Sequence, residues 1–146
     1  LVYLNRTDLI QASDVAHTMQ HWQVYVKWNQ RLFQEVYGTY HRNLEAARQG
    51  GASVRHHQQS KNPADFWYHG ELAFFDHYVI PLAHKLKECG VFGVSSDEHL
   101  MGALSNRREW EHKGRALVEG HIADFHGDNA TTNTTGNKAT NEEHTV

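Results

Sequence analysis

The sequence predicts an all-α chain, a partial multi-helix domain, on three observations. Apolar residues recur at three- and four-residue steps from Leu9 to about Tyr40, a second stripe of the same period runs from Asp65 to Glu88, and a capping-box spacing opens a third helical stretch at Ser95.

In the first stretch Trp22, Tyr25, Val26, Leu32, Phe33, Val36, Tyr37 and Tyr40 recur on one face, which fits two adjoining helices or one long bent one. Arg48 to Asn62 holds Gly50-Gly51, His56-His57 and mostly polar residues, so about 48–62 is expected to be a solvent-exposed connection. In the second stripe Leu72, Phe75, Val79, Leu82 and Leu86 line up, widened by Phe74 and Tyr78. Pro81 removes a backbone donor inside it, which predicts a kink near Tyr78, and Gly90 supplies a stop. Ser95 with Glu98 starts the last helix, which runs through Leu100, Leu104 and Trp110 to about Ile122. Beyond His126 the chain is Asn/Thr-rich and too poor in apolar groups to offset ordering entropy. Residues 1–126 therefore read as one domain and 127–146 as a disordered tail.

Composition narrows the function. The 146 residues carry a net charge of −3 with no dense Lys/Arg patch, which argues against nucleic acid and acidic membrane as partners and favours small soluble ones. Cys89 stands alone, so no internal disulfide framework exists, and a reducing, cytoplasmic setting is expected. No apolar run approaches the roughly 20 residues of a membrane span, and the N-terminus lacks a signal-peptide pattern, although a parent protein could be tethered. The chain opens with Leu1 in a helix-like pattern, which suggests a piece of a longer product. Of the 13 histidines, His41, His56, His57, His126 and His144 sit among polar residues where solvation suffices. His69, His77, His84 and His99 read as helix-surface or helix-end side chains. Sequon-like triplets at Asn5, Asn129 and Asn133 read as chance, and there is no internal repeat, glycine-rich phosphate loop or Gly-x-Ser-x-Gly elbow.

Asp14, His17 and His21 stand at relative positions 0, 3 and 7. At about 100° per residue, a helix would bring them within roughly 60° of one face. One face could then present three ligands suited to zinc or a similar divalent ion, or the group could be a polar helix end with Asp14 near the cap.

Three motifs carry a family resemblance. Ser13-Asp14-Val15-Ala16-His17, followed by Tyr25, Trp28 and Arg31-Leu32-Phe33-x-Glu35, comes first. Gly70-Glu71-Leu72-Ala73-Phe74-Phe75-Asp76 with Tyr78-Val79-Ile80-Pro81-Leu82 follows, and Asn106-Arg107-Arg108-Glu109-Trp110 closes the series. In this order, over about Leu9 to Glu119, they resemble the C-terminal portion of a class I 3′,5′-cyclic-nucleotide phosphodiesterase catalytic domain.

The resemblance implies hydrolysis of a cyclic nucleotide (cAMP, cGMP or both) to the nucleoside 5′-monophosphate at a two-metal site. It makes Asp14 a metal ligand, to a pair that the resemblance gives as zinc with magnesium or manganese in the complete domain. Such a pair polarises the phosphoryl group and lowers the pKa of water between the ions. His17 falls where the family commonly has Asn, and Tyr25, Trp28 and Leu32 match pocket-wall positions, though the same three also read as part of a core stripe. Phe74 matches the aromatic that packs on the purine. Glu71 matches the residue that reads the purine edge, where the family usually has Gln. An amide donates and accepts, whereas an ionised carboxylate only accepts, so the choice between the two nucleotides stays open. The family's upstream His-x-x-x-His pattern, His-Asp pair and acid histidine have no match here. His17-Thr18-Met19-Gln20-His21 has the first spacing but follows Asp14. One carboxylate cannot hold two ions, so the resemblance implies a fragment that is inactive alone and needs the rest of the catalytic domain upstream. A non-catalytic nucleotide- or partner-binding remnant and a helical metal-binding module are the competing readings.

Overall fold

The structure, a computed structural model, describes residues 6–49, 61–90 and 95–136, with side chains except at 95–96 and 128–136. It is all-α: no strand occurs among the described residues. Helix α1 (Arg6–Asp14) leads through a 3-10 turn (Ala16–Met19) into the long α2 (Trp22–Arg48). Helix α3 (Pro63–Phe74) passes through a π turn (Phe75–Val79) into α4 (Ile80–Cys89), and α5 (Ser95–Gly136) closes the chain.

Each boundary has a local cause. At the start of α2 the His21 imidazole caps the helix, its Nδ1 accepting from the Gln23 N–H at 3.4 Å. Asn62 Oδ1 accepts from the Ala64 N–H at 3.0 Å and Pro63 sits in the first turn, where its missing donor costs nothing. Gly90 ends α4 in the left-handed conformation, φ 63°, as its stop role requires. The irregularity expected from Pro81 takes the form of the π turn. Proline has no N–H for the carbonyl four residues back and its ring crowds that carbonyl, and the turn before it widens so that the Ile80 N–H bonds to the Phe75 oxygen.

Two expectations change. Asp14, His17 and His21 do not share one helical face: α1 stops at Asp14, His17 lies in the 3-10 turn and His21 is the cap of the next helix. A uniform 100° per residue does not apply across that break. The last helix also runs past Ile122 and His126 to Gly136, because Val118, His121, Ile122 and Phe125 keep an inward stripe that packs on the core. The part of the expected tail at 137–146 lies outside the described residues, as does 50–60 of the connection, whose flanks end at Arg48 and resume at Pro63.

The core is built from helix stripes. On α2, Tyr25, Asn29, Phe33 and Tyr37 are buried at four-residue steps. They meet Trp67, Phe75, Val79 and Leu86 from the α3–α4 arm and Leu100, Ala103, Trp110 and Val118 from α5. Helix α5 packs on α2, α3, α4 and the 3-10 turn, so it is the element that joins the others.

Candidate functional site

The three motifs are joined by their own side chains. Asn106 is 2% exposed, and its amide donates to the Thr18 oxygen at 2.9 Å and the Gln20 oxygen at 2.7 Å, fixing the turn that follows Asp14. Beside it, α5 comes so close that a Cβ on Gly102 would overlap the Met19 carbonyl. Arg107 grips Asp76 of the π turn with two bonds, at 2.9 and 3.1 Å, and also Glu111 at 2.6 Å. The guanidinium draws the Asp76 carboxyl below its ordinary range. Trp110 donates from Nε1 to the Tyr68 oxygen at 3.1 Å, and its ring meets Tyr25 edge-on at 5.8 Å.

A buried polar chain crosses from α2 to α3. Trp67 Nε1 donates to Asn29 Oδ1 at 3.3 Å, Asn29 Nδ2 lies 3.5 Å from the Tyr25 hydroxyl, and that hydroxyl donates to Glu71 Oε2 at 2.6 Å. Burial pushes the Glu71 carboxyl above its ordinary range, while the bonds from Tyr25 and Asn29 pull the other way. Tyr25 is raised far above a free phenol by burial first and the Glu71 carboxylate second.

Asp14 and His17 line an open hollow of about 360 Å³ with Ser13, Ala16, Gln20 and Trp28. Burial lowers the pKa of His17, a bond to the Asp14 backbone opposes that, and its ring lies 5.9 Å from Trp28. Trp28, 50% exposed, carries the Arg31 guanidinium 5.4 Å over its ring, and Leu32 is 49% exposed one turn on. Glu71 and Phe74 occupy the last turn of α3, and Phe74 stacks on Tyr78 with centroids 5.3 Å apart and planes at 13°. Tyr25 is a core residue, 1% exposed, that reaches Glu71 only through its hydroxyl. The structure thus pairs Asp14 with His17 and Trp28, and Tyr25 with Glu71. Leu32 and Phe74 do not line the Asp14 hollow.

For a divalent ion the residues present supply a carboxylate and a neighbouring imidazole, a fit to one edge of a site rather than to a whole one. Among the described residues no three His, Cys, Asp or Glu side chains group to hold an ion. A larger hollow of about 720 Å³ lies between the 3-10 turn and α5, lined in part by His21, Trp22 and Asn106. Glu98 and Glu109 share its lining with Arg108 and Lys113, so neither sign of charge is favoured.

Asn29 and Trp67 carry part of the polar framework and were not singled out in the sequence, where Asn106 appeared only as a member of the closing motif. The available signal was their spacing: Asn29 stands four residues after Tyr25, and Trp67 four before Glu71, each one helical turn away. No protein family, curated protein or solved structure matches the chain. Nor does any described helix have the length and apolarity to cross a membrane.

Proposed function

We propose that this chain forms the C-terminal portion of a cyclic-nucleotide phosphodiesterase catalytic domain. The observation that carries the reading is the set of bonds between its three motifs: Asn106 to the turn after Asp14, Arg107 to Asp76, and Tyr25 to Glu71. In two of these ties, Arg107 with Asp76 and Tyr25 with Glu71, both partners are residues of the family-like motifs, and in the third Asn106 holds the backbone just after Asp14 and His17.

In this reading Asp14 offers an oxygen ligand beside His17, and Phe74 packs on the base while Glu71 accepts a hydrogen bond from an N–H on its edge. The pair of divalent ions would supply the charge that polarises a phosphoryl oxygen and acidifies water. Their remaining ligands come from outside this chain, which alone does not hydrolyse substrate. The proposed compartment is the cytosol. The partner-binding alternative draws on a separate observation, the exposed Val24, Trp28, Leu32 and Val36 at four-residue steps along α2.

The test is to measure cAMP and cGMP hydrolysis by a chain that includes this one and its upstream ligands. Asp14→Ala should abolish turnover while the protein stays folded. Phe74→Ala should weaken transition-state binding by about 1–3 kcal/mol, the worth of one stacked base. Full activity in Asp14→Ala would remove Asp14 from the metal site, and no turnover by the longer native chain would remove the hydrolase reading.

A further inference from the structure

Among the described residues, two buried side-chain nitrogen or oxygen atoms have no hydrogen-bond partner: His41 Nε2 and His121 Nε2. Both lie in the seam between the C-terminal halves of α2 and α5. The seam is aromatic. Phe33 meets His121 at 5.6 Å, Tyr37 meets Phe125 edge-on at 5.1 Å, and Tyr37 meets His41 at 4.5 Å. An orphaned ring nitrogen in such a place is costly, and native structures keep few of them without a purpose.

A second observation is independent of the first. From Glu119 to Gly136, α5 is rich in poor helix formers: Gly120, Gly127, Gly136, two Asn, four Thr and two Asp. Propensity is weak there, and the described contacts that hold it on α2 come from His121, Asp124, Phe125 and His126. Besides the rings, a polar tie holds the seam: Gln30 Nε2 donates to Asp124 Oδ2 at 2.9 Å, on the exposed side.

We infer that the His121 imidazole is an acid-sensitive latch: neutral, it lets the end of α5 lie on α2, and protonated, it releases that end. A charged ring buried against Phe33 loses water without gaining an acceptor, whereas release returns it to solvent. Burial accordingly lowers the His121 pKa, with the Asp124 carboxylate opposing. The titratable groups around the seam are Tyr37, Tyr40 and His41 from α2, Asp65 from α3, which acts on Tyr37, and Asp124 and His126 from α5. Asp124 is tethered outward to Gln30, and His126 is exposed, so neither supplies the buried ring with an acceptor. The sign follows from linkage: the folded pKa lies below the unfolded one, so the closed state loses stability as pH falls through 6.5. The latch requires neither nucleotide nor metal and stands apart from the hydrolase reading.

Hydrogen exchange on the chain at pH 7.5 and 5.5, corrected for intrinsic rates, tests it. Amides from 119 onward should lose protection about tenfold at the lower pH, as one linked proton provides, while those of Ala103 to Trp110 keep theirs. His121→Phe should abolish that difference, and His126→Phe should leave it. Equal protection at both pH values, or an unchanged difference in His121→Phe, overturns the latch. If His121→Phe does not fold, an NMR titration of His121 in the native chain decides: a midpoint below 6.5 supports the latch, and one at or above it overturns the proposal.

Discussion

Glu71 is a carboxyl held where its charge is unwelcome. Because its folded pKa is raised, its contribution to stability is present below the ordinary value of 4.5 and is lost as pH rises through the folded pKa. Glu71→Gln keeps an acceptor for the Tyr25 hydroxyl and removes the charge. Thermal denaturation should therefore show the variant gaining over the native chain at pH 7, with the gain vanishing toward pH 4. On the proposed phosphodiesterase reading, the same substitution in a chain that includes the upstream ligands should shift the ratio of kcat/KM for cAMP and cGMP, since an amide presents both a donor and an acceptor to the base. An unchanged ratio would remove Glu71 from base recognition. At this scale the sequence was partly legible. Tyr25 and Glu71 were picked out singly, from the resemblance, but the bond between them spans 46 positions and no local pattern announces it. His41 shows the opposite failure: polar neighbours in sequence suggested a solvated ring, yet its Nε2 is buried among Tyr37, Tyr40 and Phe125, because α5 folds over it.

The elements were easier to read than their joints. Periodicity marked α2 and the α3–α4 arm, and Gly90 and Pro81 marked a stop and an irregularity, because these are local effects of spacing and backbone chemistry. The break after Asp14 was hidden, since what shapes it is α5, some ninety residues later, through Asn106 and Gly102. Helix length was also hidden at the C-terminus, where tertiary packing overrides weak propensity. Two substitutions test the joint. Asn106→Ala should cost about 1–3 kcal/mol for each of the two carbonyls left without a donor, read by urea denaturation. Gly102→Ala must displace the Met19 carbonyl, and a cost of about 1–3 kcal/mol or more is expected from such overpacking. Neither residue touches Asp14, yet both should alter the hollow beside it, visible as changed NMR shifts of His17.

For the molecule as a whole, apolar surface is left uncovered on one side. Val24, Trp28, Leu32 and Val36 run along α2, and Val36 continues into a shallow apolar depression with Tyr40, Pro63 and Phe66. Contiguous surface of this kind seeks a cover. The chain on its own should bind a hydrophobic dye and self-associate, and Leu32→Lys with Trp28→Lys should reduce both; a native chain that stays monomeric and binds no dye would show that the surface is satisfied as it stands.

The clamp of Asn106 on the turn between α1 and α2 also bears on how the chain is made. A contact spanning nearly ninety positions carries a loop-closure cost, which topologies rich in distant contacts meet late in folding. On a ribosome, the hollow at Asp14 has to wait for the first turns of α5, as far as Asn106, to emerge before its walls can set. A nascent chain arrested before Asn106 would hold every residue of that hollow and still lack its form.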